Sequence, residues 1–207
     1  MITAVSKSAI VDILIHQLEG FFPLSEEEKK CIIAQEGGVF CKIENCFSHT
    51  TNKYYHRDNE VYFNPFHSGQ YAIFLYYYSR LVYLAGNSIL ADKIYYLNKI
   101  MNGCDLFYEV VLPDQFSLDH PVGTVIGRAE IGSGFIFGAN NTVGGNHDIY
   151  PVIEENCELC VGACVIGKCK IGTNVTVGAG CIIKDQDIPD NVIVFGESPN
   201  LIIKNKK

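Results

Sequence analysis

The chain is short of positive charge: 16 lysines and arginines stand against 23 aspartates and glutamates in 207 residues, a net charge of −7. A general nucleic-acid binder would show a basic face, so that class is excluded. Long apolar runs are also missing, and none approaches the roughly 20 residues of a membrane span. Asp12 and His16 interrupt the apolar stretch that follows Lys7, so no signal peptide is expected there. Glycine-rich phosphate loops of the Walker or Rossmann type do not occur. Apolar residues are plentiful, at 48%, which excludes a disordered chain. Nine cysteines without an export signal read as reduced thiols in a cytoplasm. The length suits one large domain or two small ones and can bury a core without disulfides.

Composition changes near Cys104. Thirteen of the 19 glycines follow it, whereas 17 of the 24 aromatic residues precede Asp105. In the later half an aliphatic residue returns at every sixth position, at Ile153, Leu159, Val165, Ile171, Val177 and Ile183. In the small slot of each unit stand Cys157, Ala163, Cys169, Val175 and Cys181, all small or β-branched. The register also holds at Ile131, Phe137 and Val143, and an earlier run steps through Leu106, Leu112 and Leu118. A one-residue slip near Thr124 joins the two runs. A period of six fits neither a helix nor a two-faced strand, but it fits a short strand plus a tight corner. Three such hexads make one coil, and stacked coils bond strand to strand at about 4.8 Å. Each coil buries its inward side chains only against its neighbours. Residues 105–188 give between four and five coils, followed by a tail over 189–207. An ordinary β-sandwich would have to reach nine in-phase aliphatics by chance.

The first 104 residues read as helical. Ser8–Leu18 has an apolar face, and Ser25 with Glu28 forms a capping-box pattern. Thr50–Asn64 is polar and irregular. Gln70–Leu84 is dense in aromatics, and its Tyr76-Tyr77-Tyr78 run is expected to meet a partner subunit as well as the core. Gly86 marks a stop, and Ser88–Met101 reads as a further helix. The expected class is therefore α+β, a helical domain followed by a parallel coil.

His120 stands at the start of a coil, and Asp105 precedes it by almost one coil. Stacking can bring the two together. An aspartate bonded to one imidazole nitrogen fixes the tautomer, and the other nitrogen can take a proton from an alcohol attacking a thioester. A corner histidine and a turn aspartate would fit the same positions. Between Val143 and Ile153 four extra residues enter, so a loop over 144–151 leaves the coil, a natural place for function. Cys157, Cys160, Cys164 and Cys169 invite a zinc reading, but they occupy different phases of the repeat. Cys157, Cys169 and Cys181 fit the small inward slot as packing residues, so no metal is expected. His16, His49, His56 and His67 lack metal-ligand spacing.

The hexads resemble those of the hexapeptide-repeat acyltransferases, which implies a left-handed parallel β-helix. Asp105, then Asp119-His120, then Gly123-Thr124-Val125-Ile126-Gly127 is similar to serine acetyltransferases. That resemblance implies His120 and Asp105 as a catalytic dyad and Asp119 as an acceptor contact, with Asp58 as a further acidic contact. It implies acetyl-CoA as cosubstrate, laid between coils against Val161 and Ala179, which allow close approach, and near Lys184 and Lys204, which suit phosphates. It also implies a homotrimer with a site between two coils. Two trimers could pair through the tyrosine-rich helices, and the loop around His147 would reach a neighbour. Departures exist. Where that family carries Arg-His-Pro after its loop, this chain has Ile149, Tyr150 and Pro151, so His147 or Tyr150 would have to serve the acceptor. The end, Asn205-Lys206-Lys207, lacks the isoleucine with which that family docks into cysteine synthase. These departures put a sugar hydroxyl, as in polysaccharide acetylation, ahead of serine as the expected acceptor. A non-catalytic assembly coil and transfer of a longer acyl group are the other readings.

Overall fold

The structure is a computed structural model and describes residues 1–206. It divides into two compact units, Met1–Gly103 and the chain from Cys104 onward.

The first unit holds α1 (Lys7–Phe21), α2 (Glu26–Ser48), α3 (Ser68–Leu84) and α4 (Ser88–Asn102). Each helix begins where a side chain accepts an orphan amide hydrogen. Ser6 caps α1, His67 caps α3 and Asn87 caps α4. Ser25 and Glu28 close the capping box on α2, with bonds of 3.2 and 2.8 Å. Gly103 ends α4 in the left-handed region, at φ +63°. In α3 the residues Tyr71 to Ser79 are all buried, so the helix is apolar round its whole circumference and lies inside the unit. This corrects the expectation for the three tyrosines. Tyr76, Tyr77 and Tyr78 are at most 4% exposed, and none offers a face to another subunit.

The segment expected to be irregular contains a small sheet. β1 (Ile2–Thr3) runs parallel to β3 (Glu60–Phe63), and β2 (His56–Arg57) pairs with β3 as a hairpin. Asp58 and Asn59 form its turn with φ of 52° and 62°, the geometry of a two-residue hairpin loop. Gln70 pins this segment to α3, accepting from the Asn64 amide and donating to the Tyr54 carbonyl.

The second unit is a parallel coil with three faces. The first face stacks β4 (Asp105–Leu106), β6 (Val125–Ile126), β9 (Thr142–Gly144), β12 (Cys164–Ile166) and β15 (Ile182–Lys184). The second stacks β7 (Glu130–Ile131), β10 (Val152–Ile153) and β13 (Lys170–Ile171). The third stacks β5 (Phe116–Asp119), β8 (Phe135–Gly138), β11 (Glu158–Leu159), β14 (Thr176–Val177) and β16 (Val192–Phe195). β17 (Ile202–Asn205) then folds back antiparallel on β16 and covers the edge of that sheet. The strands make about five turns of coil.

Register explains where the hexads hold. Cys164 pairs with Ile182 and Leu159 with Val177, each exactly three hexads on. Thr142 pairs with Cys164 across a longer interval, because the loop is inserted between them. The slip near Thr124 is divided between two corners. Ile126, not Val125, enters the core, so the inward series runs Leu118, Ile126, Ile131, first longer and then shorter than a hexad. Thr124 also turns inward and is 1% exposed. The coil does not stop at residue 188. Ile171 bridges Ile188, and Val177 pairs with Val194, both intervals falling just short of three hexads. The segment expected as a tail therefore supplies a strand of the coil and a covering strand.

Candidate active site

The chain travels from first face to second to third and back to the first, so each coil has three corners. His120 sits on the corner from β5 to β6, with φ +53° and an exposed side chain. The corner is held from both sides. Thr124 donates its amide to the Pro121 carbonyl at 3.1 Å, and Asn140, one coil down, donates to Val122 at 2.9 Å. Gly123 is needed at φ +75°, since a Cβ there would lie 2.0 Å from the Asn140 side-chain oxygen. Asp105 meets this corner through its backbone, its amide bonding the Thr124 carbonyl at 2.8 Å, and its side chain is half-buried on β4.

Beneath the corner lies a buried polar network that the hexads concealed. Asn141 occupies the small inward slot yet is fully buried. It accepts from the Gly138 amide at 2.6 Å and donates to the Cys160 carbonyl at 2.6 Å. The Thr124 hydroxyl donates to the Gly138 carbonyl. Both polar groups of Gly138 are thereby satisfied, as burial demands. Gly138 itself lies opposite Asp119, where a Cβ would stand 2.1 Å from the Asp119 carbonyl oxygen.

Along this corner the coils stack as a ladder: Gly162 donates to Ala139 and Gly180 to Val161, at 3.0 and 2.9 Å. Val161 and Ala179 therefore lie in the column that begins with His120. A groove of about 300 Å³ opens there, with Asp119, His120, Ile136 and Ala139 on one coil pair and Glu158, Cys160 and Val161 on the next. The structure thus gathers His120, Asp119 and Val161 in one groove. Asp105 is not among its lining side chains. Burial pushes the half-buried Cys160 thiol up, with the Glu158 carboxylate adding to the effect, so this thiol rests in its protonated form. The inward cysteines behave alike, burial holding Cys181 at about 11.

The loop leaves the next corner, from β9 to β10, at the far end of the first face. Within it His147 and Asp148 take φ of 50° and 59°, and Asn146 and Ile149 bond each other's backbone. Tyr150 packs over Gly145, where a Cβ would lie 2.7 Å from the ring. The Tyr150 hydroxyl, and then the Glu109 carboxylate at 3.6 Å, push the Arg128 guanidinium further up from its already high value. The loop is therefore folded along its own coil. His147 and Tyr150 are not placed beside His120; they stand on a different corner, one coil further along. Lys184 ends β15 on the first face, near that loop corner. Lys204 lies on β17, its ammonium 5.8 Å from the centre of the Phe195 ring. The four expected coenzyme contacts thus fall into one corner pair, Val161 with Ala179, and two separated lysines. Asp58 occupies a hairpin turn of the helical unit. Among the described residues no three histidine, cysteine or acidic side chains gather as a metal site, and no helix is long and apolar enough to cross a membrane.

Comparison with known proteins fits this geometry. No family model matches the sequence. The serine acetyltransferase of Bacillus subtilis is 27% identical over 146 residues, which cover 68% of this chain and 67% of that protein. The solved serine acetyltransferase of Neisseria gonorrhoeae in complex with serine superposes with a TM-score of 0.72 at 20% identity, covering 96% of this chain and 84% of that one. The Brucella abortus serine acetyltransferase in complex with coenzyme A superposes with a TM-score of 0.72 at 18% identity, covering 99% and 84%. These superpositions carry the fold, including the left-handed coil and the helical unit before it. The expectation of a sugar acceptor finds no support among these relatives, all of which are serine acetyltransferases. Stacked hexads and a helical unit ahead of them make the chain similar in fold to solved serine acetyltransferases, and its sequence is similar to enzymes of the same kind.

Proposed function

We propose that the chain transfers an acetyl group from acetyl-CoA to the hydroxyl of L-serine, giving O-acetyl-L-serine and coenzyme A. The observation that carries this reading is the corner groove, where His120, Asp119 and Val161 meet on a coil whose relatives are serine acetyltransferases. His120 is the general base. Its ring takes the hydroxyl proton as the oxygen attacks the thioester carbonyl; the C–S bond then breaks, and the sulfur leaves as thiolate, which the imidazolium protonates. Asp105 orients the ring from the strand above. Asp119 faces the acceptor's ammonium, and the pantetheine arm runs down the corner past Val161 and Ala179. Lys184 and Lys204 serve the phosphates.

His120 and the loop occupy different corners, so a complete site takes its base from one chain and its loop from a neighbour, which a homotrimer provides. Ile149 cannot bind a carboxylate. Arg128, the one arginine after Asp105 in the sequence, stands on the loop's corner with Tyr150 and takes that role here. Thiol release from acetyl-CoA is the test, measured with L-serine beside activated and polymeric sugars. Turnover with serine that falls about 10²-fold or more in His120→Ala is the expected result. Turnover with a sugar alone refutes serine as acceptor, and full activity in His120→Ala refutes the mechanism.

A further inference from the structure

Asp185 ties the loop to the rest of the coil, and no role has yet fallen to it. It sits on the same corner column as the loop, one coil beyond Gly167. One carboxylate oxygen accepts the Lys168 amide at 2.8 Å, and the other accepts the Asn146 side-chain amide at 2.9 Å. The Asn146–Asp185 bond therefore passes over a whole intervening coil. Gly167 makes room for it: a Cβ there, at φ +78°, would lie 2.2 Å from the Asp185 oxygen and 2.8 Å from the Asn146 Cβ. Three residues far apart in sequence are thus fitted to one contact, which ordinary surface pairing does not require. The Lys168 amide and Asn146, in that order, hold the Asp185 carboxyl below its usual range, with the nearby Lys184 and His147 adding to the effect.

We propose that Asp185 is a positioning residue for acceptor recognition: through Asn146 it clamps the start of the loop and so sets where His147 and Tyr150 stand for the acceptor. The inference rests on the reading that this loop serves the acceptor. At its far end the loop is held by Tyr150 against Gly145 and Arg128, so the clamp at Asn146 completes its fixation from the other end. A displacement of the order of 1 Å in a positioning group is enough to cost about 10²-fold in rate, so losing the clamp is expected to matter although Asp185 touches no substrate.

Three variants separate bond from charge. Asn146→Ala removes the bond and keeps the carboxylate. Asp185→Ala removes both. Asp185→Asn removes the charge, but after Asn146 turns its amide over, both hydrogen bonds can re-form. The full-length protein is assayed for acceptor and acetyl-CoA KM, and amide hydrogen exchange is followed over residues 145–150 without substrate. The clamp predicts faster loop exchange and about a tenfold higher acceptor KM in Asn146→Ala and Asp185→Ala, with acetyl-CoA KM within about twofold of wild type and Asp185→Asn near wild type. Unchanged loop exchange overturns the clamp. Faster exchange with unchanged acceptor KM overturns its role in recognition, and so does an equal rise in both KM values. Asp185→Asn as impaired as Asp185→Ala overturns the bond as the cause. Failure of wild type to acetylate any acceptor refutes the acetyl-transfer reading, a different result, because loop exchange would still rise in the variants.

Discussion

In the helical unit, Phe74 is buried among the rings of Phe40, Phe63, Tyr71 and Tyr78, all within 6.0 Å between ring centres. In the coil, Ile171 is equally buried, but it meets Ile153 one turn above and Ile188 one turn below. The helical unit closes round large side chains brought from several elements. The coil closes by stacking short strands whose backbones approach closely at the corners. The difference teaches which substitutions each half can bear: the first depends on side-chain volume, the second on the absence of a Cβ where coils meet.

Four substitutions or conditions press on that difference. Phe74→Ala empties the centre of the aromatic cluster and is expected to cost about 3–5 kcal/mol in denaturant unfolding of the helical unit. A smaller loss would mean that the cluster collapses to fill the space. Gly138→Ala forces a Cβ towards the Asp119 carbonyl and should cost about 1–3 kcal/mol, lowering acetyl transfer as well because Asp119 and His120 move together. Gly37→Ala sharpens the contrast. Gly37 lies inside α2 with open space around its Cβ position, so alanine there should stabilise by about 0.5–1 kcal/mol. Destabilisation at Gly37 would remove the distinction between the halves.

The smallest effect concerns pH. Asp185 has a carboxyl held below its unfolded value, so its contribution is present above that unfolded value. It is lost as pH falls through the lower, folded value. Protection of the Lys168 amide against hydrogen exchange should therefore weaken on acidification below about pH 4. In Asp185→Asn that pH dependence should vanish, and its persistence there would assign it to another group.

Much of the coil was legible because stacking repeats the same inward residue at a fixed interval. The repeat fails as a guide where coils change length. Val125 and Ile126 are both aliphatic, so spacing alone does not say which one enters the core; the structure sends Ile126 in and seats Thr124 beside it. The final strand is hidden because the interval shortens at Ile188 and Val194, out of step with the hexads. Asn141 is hidden too, because polarity at an inward slot makes sense only once its partners, Gly138 and Cys160, are located in space. In the helical unit the capping box was readable as local chemistry, and Ser25 with Glu28 forms it as expected. The burial of Tyr76, Tyr77 and Tyr78 was not readable, because it depends on which helices surround α3. At the site, Val161 was expected from the resemblance to serine acetyltransferases, and the structure sets it in the column that begins with His120. The separation of His120 from His147 was not readable, since it depends on which corner each occupies.

That separation is the centre of the proposed function, in which one chain would supply the base and another the loop. Co-expression of His120→Ala with Asn146→Ala chains tests it directly, with each variant alone as the control. If the site is shared, random assembly of trimers restores both intact halves at roughly one site in four, and acetyl transfer at serine concentrations well below KM rises above either variant alone. No recovery in mixed trimers would contradict the shared site and return both corners to a single chain.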